Sequence, residues 1–179
     1  IADVSPLQLA GVETRREVAQ RALNKFADRG ITSFTDAAGR QWSMTSYTEM
    51  STRTAARRAQ WQGHAEQLQQ LGQDLVIVSD HSQECTLCRP WEGKILSLSG
   101  APRVDGVQVA GTLEQAQAAG LGHPGCRHTF GVYLPGVTKV PKGTADPQGD
   151  ADRQRLRYLE RGVRAWRARE AAALSPEAR

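Results

Sequence analysis

The stretch Leu75-Val76-Ile77-Val78-Ser79-Asp80-His81-Ser82-Gln83-Glu84-Cys85-Thr86-Leu87-Cys88 decides how this chain is read. Leu75 to Val78 is a continuous apolar, largely β-branched run, the pattern of a buried strand. It gives way to a polar loop that ends in a Cys-x-x-Cys pair, whose spacing lets both sulfurs turn toward one centre. A second cluster lies well downstream, in His123-Pro124-Gly125-Cys126-Arg127-His128. Two short loops carrying five potential ligands, with strands beside them, predict a sheet whose connections are tied together by a metal.

The chain has three cysteines, so they cannot all pair in disulfides, and their grouping with histidine fits metal chemistry and assembly inside a cell. Zinc takes four tetrahedral ligands from thiolates and imidazoles, and a structural site leaves no position open. Two registers compete. Cys85, Cys88, Cys126 and His128 form one; the other replaces His128 with His123, and the unused histidine orients a ligand from behind. We favour His128. A redox Cys-x-x-Cys fits less well, because no thioredoxin-like pattern precedes it. Catalytic zinc would need an acid–base partner; Glu84 and Glu92 are near in sequence but stand in no His-Glu-x-x-His arrangement.

Working outward, residues 13–29 read as a helix with Val18, Ala22, Leu23 and Phe26 on one face and Gly30 as its stop. Residues 31–34 and 40–42 suggest a short hairpin around Thr35-Asp36-Ala37-Ala38-Gly39. Ser46-x-x-Glu49 has capping-box form and is expected to open the longest helix, which runs to about Leu71. Tyr47, Met50, Thr54, Trp61, Ala65 and Leu68 make its apolar arc, bordered by Arg53, Arg57 and Arg58. Further strands are expected at residues 94–98, around the Asp105-Gly106 turn, and at 129–134; a short helix capped by Thr112 ends at Gly120. Asp80-His81 reads as a polar strand end and His64 as a partly buried helix residue. The fold class is α+β: a small mixed or antiparallel sheet with helices packed on it.

The 179 residues suffice for one ordinary domain with an appendage, and no apolar run approaches the ~20 residues that span a bilayer. The expected organisation is an N-terminal segment over 1–12, a metal-containing domain over 13–134, a Pro/Gly-rich linker over 135–150 and a basic amphipathic helix over 151–179. The chain begins at Ile1 without an initiator Met, so it is expected to be a fragment or mature form of something longer, with 1–12 leading in from an upstream part.

The net charge of +4 is concentrated near the C-terminus, where residues 151–170 hold seven Arg against Asp152, Glu160 and Glu170. Leu156, Leu159, Val163 and Trp166 recur at heptad-like spacing, with Arg153, Arg157, Arg161 and Arg164 on roughly the opposite side. A helix with that stripe must bury it on its own domain, on a neighbouring copy or on a partner. Its arginines suit an acidic partner or nucleic acid.

Taken in order, Gly39-Arg40-x-Trp42, Ser46-Tyr47-x-Glu49-Met50, Thr52-Arg53-Thr54 and Leu75 to Ser79 lead into Cys85-x-x-Cys88-Arg89-Pro90-Trp91-Glu92-Gly93-Lys94. His123-Pro124-x-Cys126-Arg127-His128, Tyr133-Leu134-Pro135-Gly136 and the Arg-rich tail follow. This resembles the phage minor capsid protein 2 family, related to the phage Mu F-like head-morphogenesis proteins, over about residues 14–174. The resemblance implies the C-terminal domain of a longer protein and a structural role in a tailed-phage head. It places the chain at or near the portal vertex, beside portal or other head proteins and packaged DNA, in several copies per virion and assembled in the host cytoplasm. No membrane partner is implied. Relatives often carry Cys at the position matching His128, an exchange that a zinc ligand tolerates, and this supports the His128 register.

Two rival functions belong to other classes. A nucleic-acid-binding zinc module would rest on the arginine tail and bind with strong salt dependence. A toxin-like enzyme such as an ADP-ribosyltransferase, or a nuclease, would need a deep pocket; Arg53, Ser79 and Glu92 could be arranged into a triad, though no spacing requires it. No catalytic residue is assigned.

Overall fold

The computed structural model describes residue 11 and residues 13–101, 103–104, 106–140, 143–173 and 175. The proposed upstream segment at 1–10 and 12 lies outside the described residues. Helix α1, Arg15–Ala27, opens on a true capping box, with Thr14 and Glu17 each bonding the other's backbone N–H. Strands β1, Ser33–Thr35, and β2, Gln41–Ser43, pair antiparallel and set Phe34 opposite Trp42. Asp36 fastens their turn, accepting from the amides of Ala38 and Arg40, from the Arg40 guanidinium and from the Trp42 indole.

Helix α2, Met44–Gln70, starts one turn before the expected Ser46. β2 runs into it without a loop, so Ser43 is both the last strand residue and the N-cap, accepting from the Ser46 amide. Glu49 is thereby left to bridge Arg15 of α1 and Arg53 on its own helix. That tie lays α1 along the first half of α2, where Thr48 and Thr52 are wholly buried and Thr52 returns its hydroxyl to the Thr48 carbonyl. Tyr47 instead packs edge-on against Phe34, ring centroids 4.9 Å apart. The apolar arc read from sequence is therefore served by different neighbours along its length. In the second half, Trp61 and Leu68 enter the main core and Ala65 packs against it.

That core is built on a four-stranded mixed sheet in the order β7-β4-β3-β8. β3, Leu75–Val78, is an interior strand, antiparallel to β4, Ile95–Ser97, and to β8, Phe130–Val132. Leu75 is buried on one face and Val76 and Val78 on the other, so both faces are covered, as its unbroken apolar run requires. A small hairpin of β5, Arg103–Val104, and β6, Val107–Gln108, interrupts the chain before β7, Gly111–Thr112, which joins β4 in parallel. Thr112 then caps helix α3, Leu113–Ala118, through a second capping box with Gln115. Leu96, Val76 and Val78 are fully buried, and Trp61 meets Phe130 edge-on at 5.3 Å between centroids.

Helix α4, Pro147–Ala172, begins earlier than residue 151, with Pro147 in its first turn and Asp146 as N-cap. The residues ahead of it are not free of the domain. Thr144 donates its amide and hydroxyl to Asp80, and the Asp146 amide donates to Glu84. No described helix is long and apolar enough to cross a membrane.

Candidate metal centre

Both ligand loops close as the same local turn. The Cys88 amide donates to the Cys85 carbonyl at 3.1 Å, and the Cys126 amide donates to the His123 carbonyl at 2.9 Å. The first loop follows β3 and ends in a 3-10 turn, Arg89–Trp91; the second lies between α3 and β8. Because β3 and β8 are paired, the two loops emerge side by side from one end of the sheet. At Gly122, φ is +78° and a Cβ would come within 3.0 Å of the Trp61 ring, so glycine lets the second loop turn tightly over the core.

All five candidate ligands converge. Cys85, Cys88 and His123 form one trio with donor atoms within 4.8 Å of one another, and Cys88, Cys126 and His128 form another. Cys88 belongs to both. Metal–ligand lengths of about 2.3 Å for sulfur and 2.0–2.1 Å for nitrogen give tetrahedral edges of about 3.8 Å between sulfurs and about 3.5 Å between sulfur and nitrogen. The Cys88–Cys126 separation is 3.6 Å and that from Cys126 to His128 Nδ1 is 3.4 Å, close to those edges. His123 Nε2 is 3.0 Å from Cys85, shorter than the same edge.

Each imidazole has one nitrogen committed to an oxygen acceptor. His128 Nε2 lies 2.5 Å from Glu92 Oε1, and His123 Nδ1 lies 2.9 Å from the Pro124 carbonyl. The ring N–H donates to the oxygen partner, which leaves the other nitrogen's lone pair facing a cysteine sulfur. Glu92 is itself held by the His81 amide, and the His81 and His128 rings meet edge to face at 5.1 Å.

The buried thiols and the imidazole perturb one another's protonation. The Cys88 thiol is pushed up, first by its hydrogen bond to Cys126 and then by burial. Cys126 is pulled well down by the Cys88 thiol, against burial, with His128 assisting. His128 is raised: burial opposes its protonation, and Cys126 and Glu92 outweigh burial. The cysteines are unpaired by disulfide, and Cys88 and Cys126 are buried. These Cys/His groups can hold a metal ion.

Sequence reasoning missed the braces around the ligands. Glu84, buried just ahead of Cys85, receives the Arg89 guanidinium at 2.6 Å and the Asp146 amide at 2.9 Å. Burial raises its pKa, but those donors more than offset the effect and hold it below the usual carboxylate value. Glu92 was visible only as a nearby acid, since its partner His128 arrives through the β3–β8 pairing. The tail arginines separate into two groups. Arg153 and Arg157 line a cavity of about 150 Å³ over Cys85, His123 and Cys126, with Arg153 paired to Asp150. Arg161, Arg164 and Trp166 are exposed further along α4. His64 lies 5.2 Å from the Phe130 ring. Arg53, Ser79 and Glu92 do not form a triad: Arg53 pairs with Glu49, Ser79 accepts from the Thr129 amide, and Glu92 faces His128. None of the three lines the cavity over the cysteines or the larger groove beside α2.

The fold and the site define a small mixed α+β protein with a Cys/His cluster at one end of its sheet. The family model described as phage minor capsid protein 2 matches residues 6–178, and the chain belongs to that family. It is similar to the "Structural protein" of Lactococcus phage LL-H, 27% identical over 174 residues that cover 91% of this chain and 46% of the relative. The chain thus spans about half the length of that curated relative. No solved structure matches it. The family is one of phage structural proteins.

Proposed function

We propose that this chain is a zinc-stapled assembly module of a tailed-phage head, at or near the portal vertex, with α4 as its contact surface for other head proteins and packaged DNA. The observation that carries the reading is the pair of Cys/His trios that share Cys88, one with Cys85 and His123 and one with Cys126 and His128, beside the seat of α4 in a chain of this family. Zinc is the ion these ligands suit, because thiolate and imidazole donors at tetrahedral edge lengths match its preference. Cys85, Cys88, Cys126 and His128 would hold it, with Glu92 orienting His128; His123 is the alternative fourth ligand. The ion's part is structural, coupling binding to folding by on the order of ~10 kcal/mol.

The test of the head role is genetic and compositional. Removing the coding segment from its phage should abolish or greatly reduce infectious heads, and the chain should be found in purified virions. Normal infectious particles formed without it would overturn the reading.

A second reading keeps the staple and gives the arginines of α4 to nucleic acid. Arg155, Arg161, Arg164, Arg167 and Arg169 are exposed along one helix. Affinity for DNA should then fall steeply with salt, by about 0.9 log units per neutralised phosphate for each tenfold rise in salt. Binding indifferent to salt would exclude it.

A further inference from the structure

Helix α4 meets its own domain through a basic face rather than an apolar one. Gly149 is buried and Arg153 and Arg157 are half-buried, and their four-residue spacing sets them on one side of the helix. From Tyr158 to Ala172 every residue is exposed, including Leu159, Val163 and Trp166 of the apolar stripe. The direction of this 26-residue helix is therefore set by its first three turns or so. Beneath them lies the cavity of about 150 Å³, lined by Arg153 and Arg157 from the helix and by all five candidate ligands from the loops. Glu84 is the one carboxylate among its lining residues, and both its oxygens are taken, by the Arg89 guanidinium and the Asp146 amide. Arg153 pairs with Asp150 through one terminal nitrogen, yet its Nε–H is buried with no hydrogen-bond partner. Among the described residues, no carboxylate pairs with Arg157.

We propose that Arg153 and Arg157 are positioning residues of the metal centre: they balance its charge from α4, and the centre in turn holds the helix in its seat. The inference rests on the zinc reading and deepens it. A divalent ion bound by three thiolates and a neutral imidazole carries one net negative charge, whichever histidine completes the set. Cys88 and Cys126 are buried, and a buried charge without a counter-charge is costly. Guanidinium suits that task, because it stays charged when partly buried and is weakly hydrated. Across a small, partly buried cavity the attraction is screened little by salt.

A helix docked for apolar packing would bury Leu159 and Val163. This one turns arginines to the ligand loops instead, as charge balance favours. The coupling is reciprocal: arginines that favour the metal-bound centre are held by it to the same extent. Arg153 and Arg157 are thereby withdrawn from the arginines that α4 offers to DNA or to another head protein, and Arg161 and Arg164, both exposed, keep that role.

Zinc titration of the whole chain against a chromogenic chelator tests this. Arg153→Gln with Arg157→Gln should weaken zinc binding about tenfold or more. Arg153→Lys with Arg157→Lys should recover most of that loss, since charge rather than fork geometry is at work. Arg16→Gln with Arg29→Gln, the same change in net charge at exposed positions outside the cavity, should leave the affinity as it was. Hydrogen exchange at zinc saturation reads the reciprocal effect. In the glutamine pair the amides from Gly149 to Arg157 should exchange about tenfold faster than in the unsubstituted chain, while those of Val76 and Val78 stay protected and show the sheet intact. Unchanged zinc affinity in the glutamine pair, or a lysine pair as weak as the glutamine pair, overturns the inference and leaves the zinc staple standing. A chain that binds no zinc overturns both.

Discussion

His128 and Glu92 face each other at 2.5 Å, Nε2 to Oε1, with both side chains almost wholly buried. The pair orients the imidazole so that its other nitrogen, Nδ1, points at Cys126. Buried carboxylate–imidazole pairs of this kind fix a ligand's tautomer and raise its basicity.

Glu92→Gln therefore reports on the register. With His128 as fourth ligand, zinc affinity should fall about 10–100-fold, measured by competition with a chromogenic chelator, while the zinc-saturated protein stays folded. His128→Ala should lower affinity further and His123→Ala much less. Affinity lost with His123→Ala but kept in both other variants would assign the site to His123.

Removing the metal should unfold the sheet end of the domain. Native mass spectrometry should find one zinc per chain, and a chelator or Cys88→Ser or Cys126→Ser should abolish cooperative unfolding. Loss of ~10 kcal/mol of coupled binding energy exceeds the whole stability of many small domains. A metal-free protein that melts as the untreated one does would leave the cysteines as packing residues.

Gly149 tests the seat of α4. It is buried in the first turn, and a Cβ there would collide with the Asp146 carboxylate and come 2.7 Å from Gln83 Cγ. Gly-to-Ala inside a helix ordinarily stabilises by about 1 kcal/mol. Here overpacking, typically about 1–3 kcal/mol, opposes that gain. Gly149→Ala should speed hydrogen exchange at the amides of Asp146 and Gly149 and expose residues 140–150 to protease. Unchanged exchange would show that the helix shifts freely to accommodate the methyl group.

Asp36 gives the hairpin a pH signature. Its carboxyl is held down to about 2, first by the Trp42 indole, then by the Arg40 amide, against desolvation. The folded value lies below the unfolded one, so the stabilisation is present in full above about pH 4 and is lost as pH falls through about 2. NMR titration of the Asp36 carboxyl should show this low midpoint. In thermal melts, Asp36→Asn should remove the corresponding loss on acidification from pH 4 to 2. A midpoint near an ordinary aspartate's would refute the clamp.

Much of this protein was legible in its sequence, because local rules governed it. The Leu75 to Val78 run, the Thr112 cap, the strand at Val107 and the two ligand clusters each carry their signal within a few residues. Other features depended on distant parts of the chain. Ser46 was misread as the helix cap because nothing nearby indicates that a strand feeds the helix directly at Ser43. Glu84 and Glu92 gained their roles only when residues more than thirty positions away, Asp146 and His128, were brought to them.

The division follows the physics. Sequence by itself determined the α+β class, the strand that becomes interior, the candidate ligands and the amphipathic character of the last helix, since side-chain chemistry and periodicity act at short range. Tertiary structure alone decided that β3 and β8 bring the two ligand loops together, that Glu92 stands behind His128, and that α4 starts from the metal loop with its apolar stripe in water. Those facts arise from sheet pairing and packing between segments far apart in the chain, where the stability of each contact depends on others having formed.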